Sequence, residues 1–169
     1  MKFKDYTQIQ RDDNGWLNLQ EGENKVRLVS EFETFGRHYN NATKKTSTCL
    51  GKEDGCPDCA RGDKSRVNFL VWSIDRLDNE VKLFRYGYMI QDQINNLSKS
   101  EEYGFDVVPG YDFTITKSGK GLETEYKVLP ARKDTPLTDE EKEMIELKTK
   151  PISEIIEKMK AKVVPTFND

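Results

Sequence analysis

SRVNFLVWSIDRLDNEVKLFRYGY, residues 65–88, contains two β-strand patterns separated by a short turn. Residues 65–76 are continuously apolar in their middle, which is typical of a central strand. Residues 80–88 form the second strand pattern, after a turn at 77–79. The stretch therefore predicts a β-hairpin, around which the rest of the fold can be placed.

Three further strands and one helix flank this hairpin. Residues 23–35 alternate apolar and charged side chains, which indicates one long half-buried strand. Residues 89–100 carry apolar side chains at helical spacing, and residues 111–117 and 122–131 predict a second hairpin around a glycine-containing turn. The predicted order is three strands, a helix and two strands.

That order matches the five-stranded OB barrel, in which a helix bridges the third and fourth strands. We therefore predict a mainly β protein with minor α. Residues 1–133 would form an OB-fold domain, with a metal-binding insertion at 36–65 between strands one and two.

The chain changes character after residue 133, and residues 134–169 are predicted to form a helical C-terminal extension. Thr138 and Glu141 have the spacing of a capping box, which predicts a helix to about Lys148. Pro151 suits the first turn of a second helix. The apolar stripe of that helix comprises Ile152, Ile155, Ile156 and Met159. Two interpretations are open: the stripe packs on the barrel or the other helix, or it stays free for a partner protein.

Composition sets further limits. The 169 residues, 35% hydrophobic and 34% charged, suffice for one domain with an extension and are too few for two ordinary domains. A net charge of −3 argues against coating polyanions by bulk charge alone. No apolar run approaches the ~20 residues of a membrane span, and the start of the sequence has no apolar segment typical of a signal peptide. We therefore expect a cytoplasmic protein with no membrane partner.

The single histidine and all three cysteines are His38, Cys49, Cys56 and Cys59. Three cysteines cannot all pair with one another, and a reducing cytoplasm keeps thiols free. The sequence CPDC at 56–59 is a CxxC knuckle that places two sulfurs around one ion, and Cys49 with His38 could complete a Cys₃His set. Such ligands favour zinc and leave no coordination position for water. We predict a structural Zn²⁺ site.

Two alternatives to metal binding are open. A thioredoxin-like redox motif would need a strand before the CxxC and a helix after it, which the flanking KKTSTCLGKEDG and ARGDKSR do not predict. Unliganded surface cysteines are the other alternative, because the spacing from His38 to Cys49 is looser than in common zinc fingers. Metal binding is favoured because a connection as long as 36–65 is unusual in a compact domain unless something orders it.

Nucleic-acid binding is predicted from basic and aromatic residues. In OB folds, the loops between strands one and two and between strands four and five flank the groove where oligonucleotides lie. Both loops are basic here, and predicted strands two and three interleave arginine with aromatic residues, as stacking on bases and following phosphates require. The candidate residues are Arg37, Tyr39, Lys44, Lys45, Arg66, Trp72, Arg76, Arg85, Tyr86, Lys117, Lys120, Lys127 and Arg132. Each strand aromatic could instead belong to the core.

Several stretches resemble the single-stranded DNA-binding proteins of tailed phages related to the T-even helix-destabilising protein. They are GENKVRLVSEF, GRHY, FLVWSIDR, EVKLFRYGYMIQDQI and DFTITKSGKGLETEYKVLPARKDTPL. The similarity covers approximately residues 14–137, and its most specific part is the order His, Cys, CxxC inserted in an OB barrel.

That resemblance implies a protein that coats and protects unpaired DNA, without sequence preference, in phage replication, recombination and repair. It also implies that His38, Cys49, Cys56 and Cys59 bind zinc in the host cytoplasm. Members of the family recruit replication proteins through an acidic tail. The net negative charge and Phe167 give the corresponding hypothesis for the C-terminal region here.

Two other function classes compete with this interpretation. A metal-dependent enzyme needs open coordination positions, and the sequence has no Ser-His-Asp set, P-loop or GxGxxG motif. We therefore expect no catalysis and no small-molecule substrate. The alternative is a zinc-stapled OB module that binds RNA or a protein partner, because stacking and phosphate contacts serve DNA and RNA alike.

Overall fold

The computed structural model describes residues 15–167. Its elements are β1 (Gly22–Leu28), β2 (Glu33–Asn40), β3 (Lys45–Thr48), α1 (Pro57–Ala60), β4 (Arg66–Asp75), β5 (Glu80–Tyr86), α2 (Tyr88–Ser98), β6 (Phe113–Ser118), β7 (Glu125–Pro130), α3 (Asp139–Lys148) and α4 (Ile152–Ala161). Short 3₁₀ turns occupy Lys52–Asp54 and Gly121–Glu123. The prediction of a mainly β protein with minor α is confirmed.

All strands pair antiparallel, in the order β3-β2-β4-β1-β6-β7, and β5 pairs with β4. The two predicted hairpins are present as β4–β5 and β6–β7. The single strand predicted over 23–35 is wrong, because the chain bends between β1 and β2. At this bend the Ser30 hydroxyl accepts a hydrogen bond from the Trp72 N–H at 2.8 Å, and the Val29 N–H donates to the Trp72 carbonyl at 3.0 Å. β1 therefore pairs with the end of β4, and β2 with its beginning.

The sheet has seven strands and is not closed, so a five-stranded barrel is not confirmed. In the described chain no strand pairing joins β5 to β7. Residues 15–17 lie along the free edge of β5, where the Leu17 N–H donates to the Leu83 carbonyl at 2.8 Å. On the β7 side, the Gln93 side chain of α2 donates to the Tyr126 carbonyl and accepts from the Val128 N–H, both at 2.8 Å. Other parts of the chain thus supply hydrogen-bond partners to the free edges of β5 and β7.

Apolar side chains cover both faces of the sheet. On one face, Val71 and Phe84 belong to a cluster with Phe113 and with Ile90 and Ile94 of α2. Successive strand residues point to opposite faces, which explains why the middle of β4 is continuously apolar.

The opposite face carries a second cluster that includes residues of α4. Leu70 and Leu83 pack there with Ile152 and Ile156, which are 8% and 5% exposed. The apolar stripe of the second C-terminal helix is therefore packed on the sheet, as the first of the two interpretations predicted.

Polar contacts also join the C-terminal extension to the sheet. The predicted capping box is present at Thr138 and Glu141. Glu141 also pairs with Arg76 at 2.5 Å, and Arg76 pairs with Asp112 at 3.0 Å. Burial raises the pKa of Glu141, but hydrogen bonds from Arg76 and Thr138 lower it more, so the net shift is downward. The carboxylate is thus held in its charged form.

Between residues 15 and 167, no helix has both the length and the apolar character needed to cross a membrane. The proposed division into residues 1–133 and 134–169 stays a prediction. Residues 1–14 and 168–169, which belong to its two parts, lie outside the described residues.

Candidate metal centre and nucleic-acid interface

The segment 36–65 contains regular structure that the sequence did not predict. β2 continues beyond its pairing with β4 and forms a hairpin with β3, in which His38 lies opposite Ser47. Side chains alternate along β2, so His38 lies on one face of the hairpin while Arg37 and Tyr39 lie on the other. The hairpin therefore has one side that carries the predicted ligand His38 and another that continues one face of the sheet.

The predicted ligand residues are brought together. His38 Nε2 lies 3.4 Å from Cys56 Sγ and 3.4 Å from Cys59 Sγ, and the Sγ atoms of Cys49 and Cys59 are 3.5 Å apart. The four ligand atoms all lie within 4.8 Å of one another. In a tetrahedral zinc site, neighbouring ligand atoms are about 3.6 Å (N to S) and about 3.8 Å (S to S) apart. The cluster is therefore compatible with a structural metal site, and the three cysteines are free thiols.

Backbone geometry explains how distant residues meet here. At Gly36, a Cβ atom would lie 2.9 Å from Cys49 Cβ and closer still to the Ser65 hydroxyl, so only glycine permits this approach. The Cys49 N–H donates to the Gly36 carbonyl at 2.8 Å. Gly55 has a φ of 76°, which favours glycine, and Pro57 begins the single turn of α1. Strand approach and a tight turn together position the sulfurs.

The thiols perturb one another electrostatically. Burial raises the pKa of Cys56, but hydrogen bonds from the backbone of Cys59 and Leu50 and from other donors lower it more, to about 6. Burial and the neighbouring Cys49 and Cys56 thiols raise the pKa of Cys59 to about 12. The neighbouring thiols thus disfavour the thiolate of Cys59, and a bound divalent cation would favour it instead.

Asp58, inside the CPDC sequence, was not among the predicted site residues. Its carboxylate is buried and accepts hydrogen bonds from the Ser47 hydroxyl and the Arg61 guanidinium. These contacts connect α1 to β3 across the cluster. In the described chain, Nδ1 of the buried His38 has no hydrogen-bond partner, whereas Nε2 faces the sulfurs. Nε2 is therefore the ring nitrogen that faces the candidate metal position.

Three arginines share the face opposite the candidate metal ligands. Arg37 lies directly across from Arg66, and Arg85 lies across from Leu70, which shares its face of β4 with Arg66. We call Arg37, Arg66 and Arg85 the arginine cluster. None of the three forms an ion pair with a carboxylate of the described residues. Tyr39, 53% exposed, lies on the same face.

The charges of this cluster are poorly compensated. Burial, and then the charge of Arg85, lower the pKa of Arg37 to about 10. Burial also lowers the pKa of Arg85. The only partners described are neutral: the Thr46 hydroxyl accepts from Arg37 at 2.8 Å, and the Trp16 ring lies 6.0 Å from the Arg85 guanidinium. An anion bound here would relieve the repulsion.

Three predicted nucleic-acid contacts are engaged elsewhere. Tyr86 is 4% exposed and its hydroxyl donates to Gln91 at 2.8 Å, so the ring lies in the first apolar cluster and its role as a stacking residue stays a prediction. Trp72 is half-buried in the second apolar cluster, and its indole N–H donates to the Lys150 carbonyl at 2.8 Å. Arg76 is held by its two carboxylate partners. Core packing and ion pairing thus already engage these three side chains, and their contact with nucleic acid stays a prediction.

The remaining basic candidates divide between two places. Lys44 and Lys45 are exposed at the tip of the β2–β3 hairpin. A second group, on or after the β6–β7 hairpin, comprises Lys117, Lys120, Lys127 and Arg132. β1 lies between β4 and β6 in the sheet, so strand order does not place this second group beside the arginine cluster.

The comparisons with known proteins add no relative. No protein-family model, no curated protein and no solved structure matches this chain.

Proposed function

We propose that this protein binds single-stranded DNA without sequence preference, on the sheet face that carries the arginine cluster. The observation that carries the proposal is three neighbouring guanidinium groups without carboxylate partners in the described chain. Single-strand binding combines such a cationic track with exposed aromatic rings, and Tyr39 lies on the same face. Guanidinium groups suit phosphate because they can donate paired hydrogen bonds.

An OB-type architecture supports the same surface. We interpret β1 and β2 as one bent first strand, followed by β4, β5, β6 and β7, with α2 between the third and fourth strands. The metal cluster then lies in the connection between the first and second strands. OB proteins bind oligonucleotides over the second and third strands, which correspond to β4 and β5. Packing of α4 covers part of this face, and the arginine cluster lies towards the β2–β3 hairpin.

We further propose that the bound metal is zinc and that its role is structural. Three sulfurs and one imidazole are a common zinc ligand set, and four protein ligands leave no position for a substrate or an activated water. This argues against metal-dependent catalysis. The ion would stabilise the β2–β3 hairpin from the face that carries His38, whereas the opposite face carries Arg37 and Tyr39. Metal and nucleic acid would thus act on opposite faces of one hairpin.

Coating of unpaired DNA in phage replication, recombination and repair is the cellular role we propose, on the resemblance described above. Recruitment of phage replication proteins by the C-terminal region is part of that proposal. RNA or a protein as the natural ligand of the same face is the alternative, which the following experiment tests.

Binding of the full chain to fluorescent oligo-dT, to the duplex of equal length and to oligo-rU should be measured by anisotropy over a range of salt concentrations. We expect single-stranded DNA to bind far more tightly than duplex, with a log-log salt slope of about −0.7 for each phosphate contacted. Alanine at Arg37, Arg66 or Arg85 should make the slope shallower by about 0.7 per residue that contacts phosphate.

Lys142→Ala is the charge-matched control, because it removes one exposed positive charge from α3, away from the arginine cluster. Equal affinity for duplex and single strand, or unchanged slopes in all three arginine variants, would refute the proposal. Tighter binding of oligo-rU would favour the RNA alternative. Native mass spectrometry on the same sample should find one zinc ion per chain.

A further inference from the structure

The last described residues, 164–167, follow α4 and return to the segment that carries the candidate metal ligands. The Thr166 N–H donates to the Gly55 carbonyl at 2.8 Å. The Phe167 ring lies over the same glycine, because a Cβ atom at Gly55 would be 2.9 Å from two of its ring carbons. Gly55 is buried and immediately precedes the candidate ligand Cys56. We call residues 164–167 the docked segment.

The turn that leads to Cys56 makes few strong contacts of its own. Backbone hydrogen bonds within residues 51–56 measure 3.1, 3.2 and 3.4 Å, whereas such bonds are usually about 2.9–3.0 Å long. Residues 52–54 are exposed to solvent, and Gly51 and Gly55 have positive φ angles. The hydrogen bond from Thr166 is shorter than those within the turn, and it is made to the peptide group that joins Gly55 to Cys56. The docked segment therefore supports the turn from outside, next to a ligand.

The packing of α4 brings the docked segment to this turn. Ile152 and Ile156 of α4 are 8% and 5% exposed in the second apolar cluster, so the helix is anchored on the sheet. α4 ends at Ala161, only a few residues before Thr166. The donor therefore stays close to Gly55 even when their hydrogen bond is broken. A short tether of this kind gives a high effective concentration, which favours contacts that would be weak between separate molecules.

We propose that Thr166 and Phe167 are positioning residues for the metal and slow its loss from the protein. By docking on Gly55 they hold the turn that presents Cys56. This inference rests on the proposed structural zinc. Docking and zinc binding then stabilise one another, because both favour the same conformation of the turn, and the coupling between them is reciprocal. Phe167, the residue named in the recruitment hypothesis, thus has a role within its own chain.

The first test times the release of zinc from the full chain to an excess of a chromophoric chelator. Thr166→Pro removes the N–H donor, and we expect release to accelerate about 3- to 10-fold, the size of one net hydrogen bond. Thr166→Ala keeps this N–H and should release zinc like the wild type. Phe167→Ala should accelerate release by a similar factor, whereas Phe167→Tyr keeps the ring and should not. Val164→Ala, at a position 77% exposed in the same segment, is the matched control.

The second test measures the reciprocal effect in the wild-type protein. Amide hydrogen exchange followed by NMR should show the Thr166 amide exchanging more slowly with zinc bound than after chelation. The amide of Ile156 in α4 should keep its protection in both states, because that helix packs on the sheet. The docked segment would then respond to the metal together with residues 36–65.

The outcomes separate this inference from the proposed metal. A wild-type chain that binds no zinc refutes the structural zinc itself. A chain that binds zinc, but releases it at the same rate in Thr166→Pro and Phe167→Ala as in the wild type, overturns the positioning role alone. Exchange of the Thr166 amide that does not change on chelation would also overturn it.

Discussion

The sheet and the segment 36–65 are adjacent in the fold but are held together by different interactions. Among the buried apolar side chains of the described residues, Cys56 is the one that lies within 36–65. The sheet, in contrast, contains side chains with no exposed surface, such as Phe113, Ile115 and Leu70. Apolar burial stabilises the sheet, whereas the segment brings together four metal-ligating residues and a buried carboxylate.

The change from apolar packing to a polar cluster of candidate ligands occurs within a single strand. Along β2, Phe35 packs in the second apolar cluster, Arg37 belongs to the arginine cluster, and His38 belongs to the candidate metal ligands. The strand thus leaves the apolar core and continues into a segment where the candidate metal ligands, not apolar side chains, come together. The two regions should therefore respond to different perturbations.

Metal removal should have the largest effect, and it should be confined to one region. With a chelator, we expect amide exchange between residues 45 and 62 to accelerate by orders of magnitude while β4 and β6 keep their protection. The reason is that structural zinc contributes about 10–16 kcal/mol in small peptide sites, and this segment lacks an apolar core of its own. Hydrogen exchange with mass spectrometry measures both regions in one experiment.

Cys59→Ser in the presence of zinc should reproduce the effect of the chelator. Thr43→Ala, in the turn of the same hairpin, is the control that should leave exchange unchanged. If chelation instead unfolded the sheet in the same transition, the two regions would form one cooperative unit and the comparison would be wrong.

The cluster of candidate metal ligands could be predicted because these residue types are rare in this chain and lie close together in sequence. One histidine and three cysteines close together in sequence suffice to indicate a site, whatever the backbone does between them. The β2–β3 hairpin could not be predicted, because Lys45–Thr48 has no apolar alternation. The buried hydrogen bonds of Asp58 likewise could not be predicted, since a carboxylate in a polar stretch usually faces solvent.

The strand order could be predicted for the two hairpins, but not the bend in 23–35. Alternation continues through Val29 and Ser30, and the hydrogen bonds that bend the chain there come from Trp72, which is distant in sequence. Alternation along a strand also shows that every second aromatic side chain points into the core, but it does not show which set of residues does so. The sequence therefore leaves Trp72 and Tyr86 open between the core and a nucleic-acid surface, whereas the structure packs Tyr86 in the first apolar cluster and Trp72 against the second.

Truncation of the apolar core should give the second-largest effect, on the sheet alone. Phe113→Ala should lower the free energy of unfolding by about 3–5 kcal/mol, because Phe113 is fully buried and the cavity cannot collapse completely. Urea denaturation followed by circular dichroism measures this change. Leu122→Ala, at a fully exposed position, should leave the midpoint unchanged. Zinc affinity under native conditions should be the same in both variants, and a parallel loss of zinc in Phe113→Ala would show that the core positions the ligands.

The smallest expected effect concerns Gly36, where the two regions meet. In Gly36→Ala the new Cβ would collide with Cys49 Cβ at 2.9 Å and with Ser65, so β2 or Cys49 must shift. We expect a loss of about 1–3 kcal/mol in unfolding free energy from overpacking, and about 10- to 100-fold weaker zinc binding as Cys49 is displaced. Competition with a chromophoric chelator measures the affinity. Gly110→Ala, where a Cβ would meet nothing nearer than 3.9 Å, is the matched control. Unchanged zinc affinity in Gly36→Ala would mean that the strand's approach does not fix Cys49, and that the metal alone determines where its ligands lie.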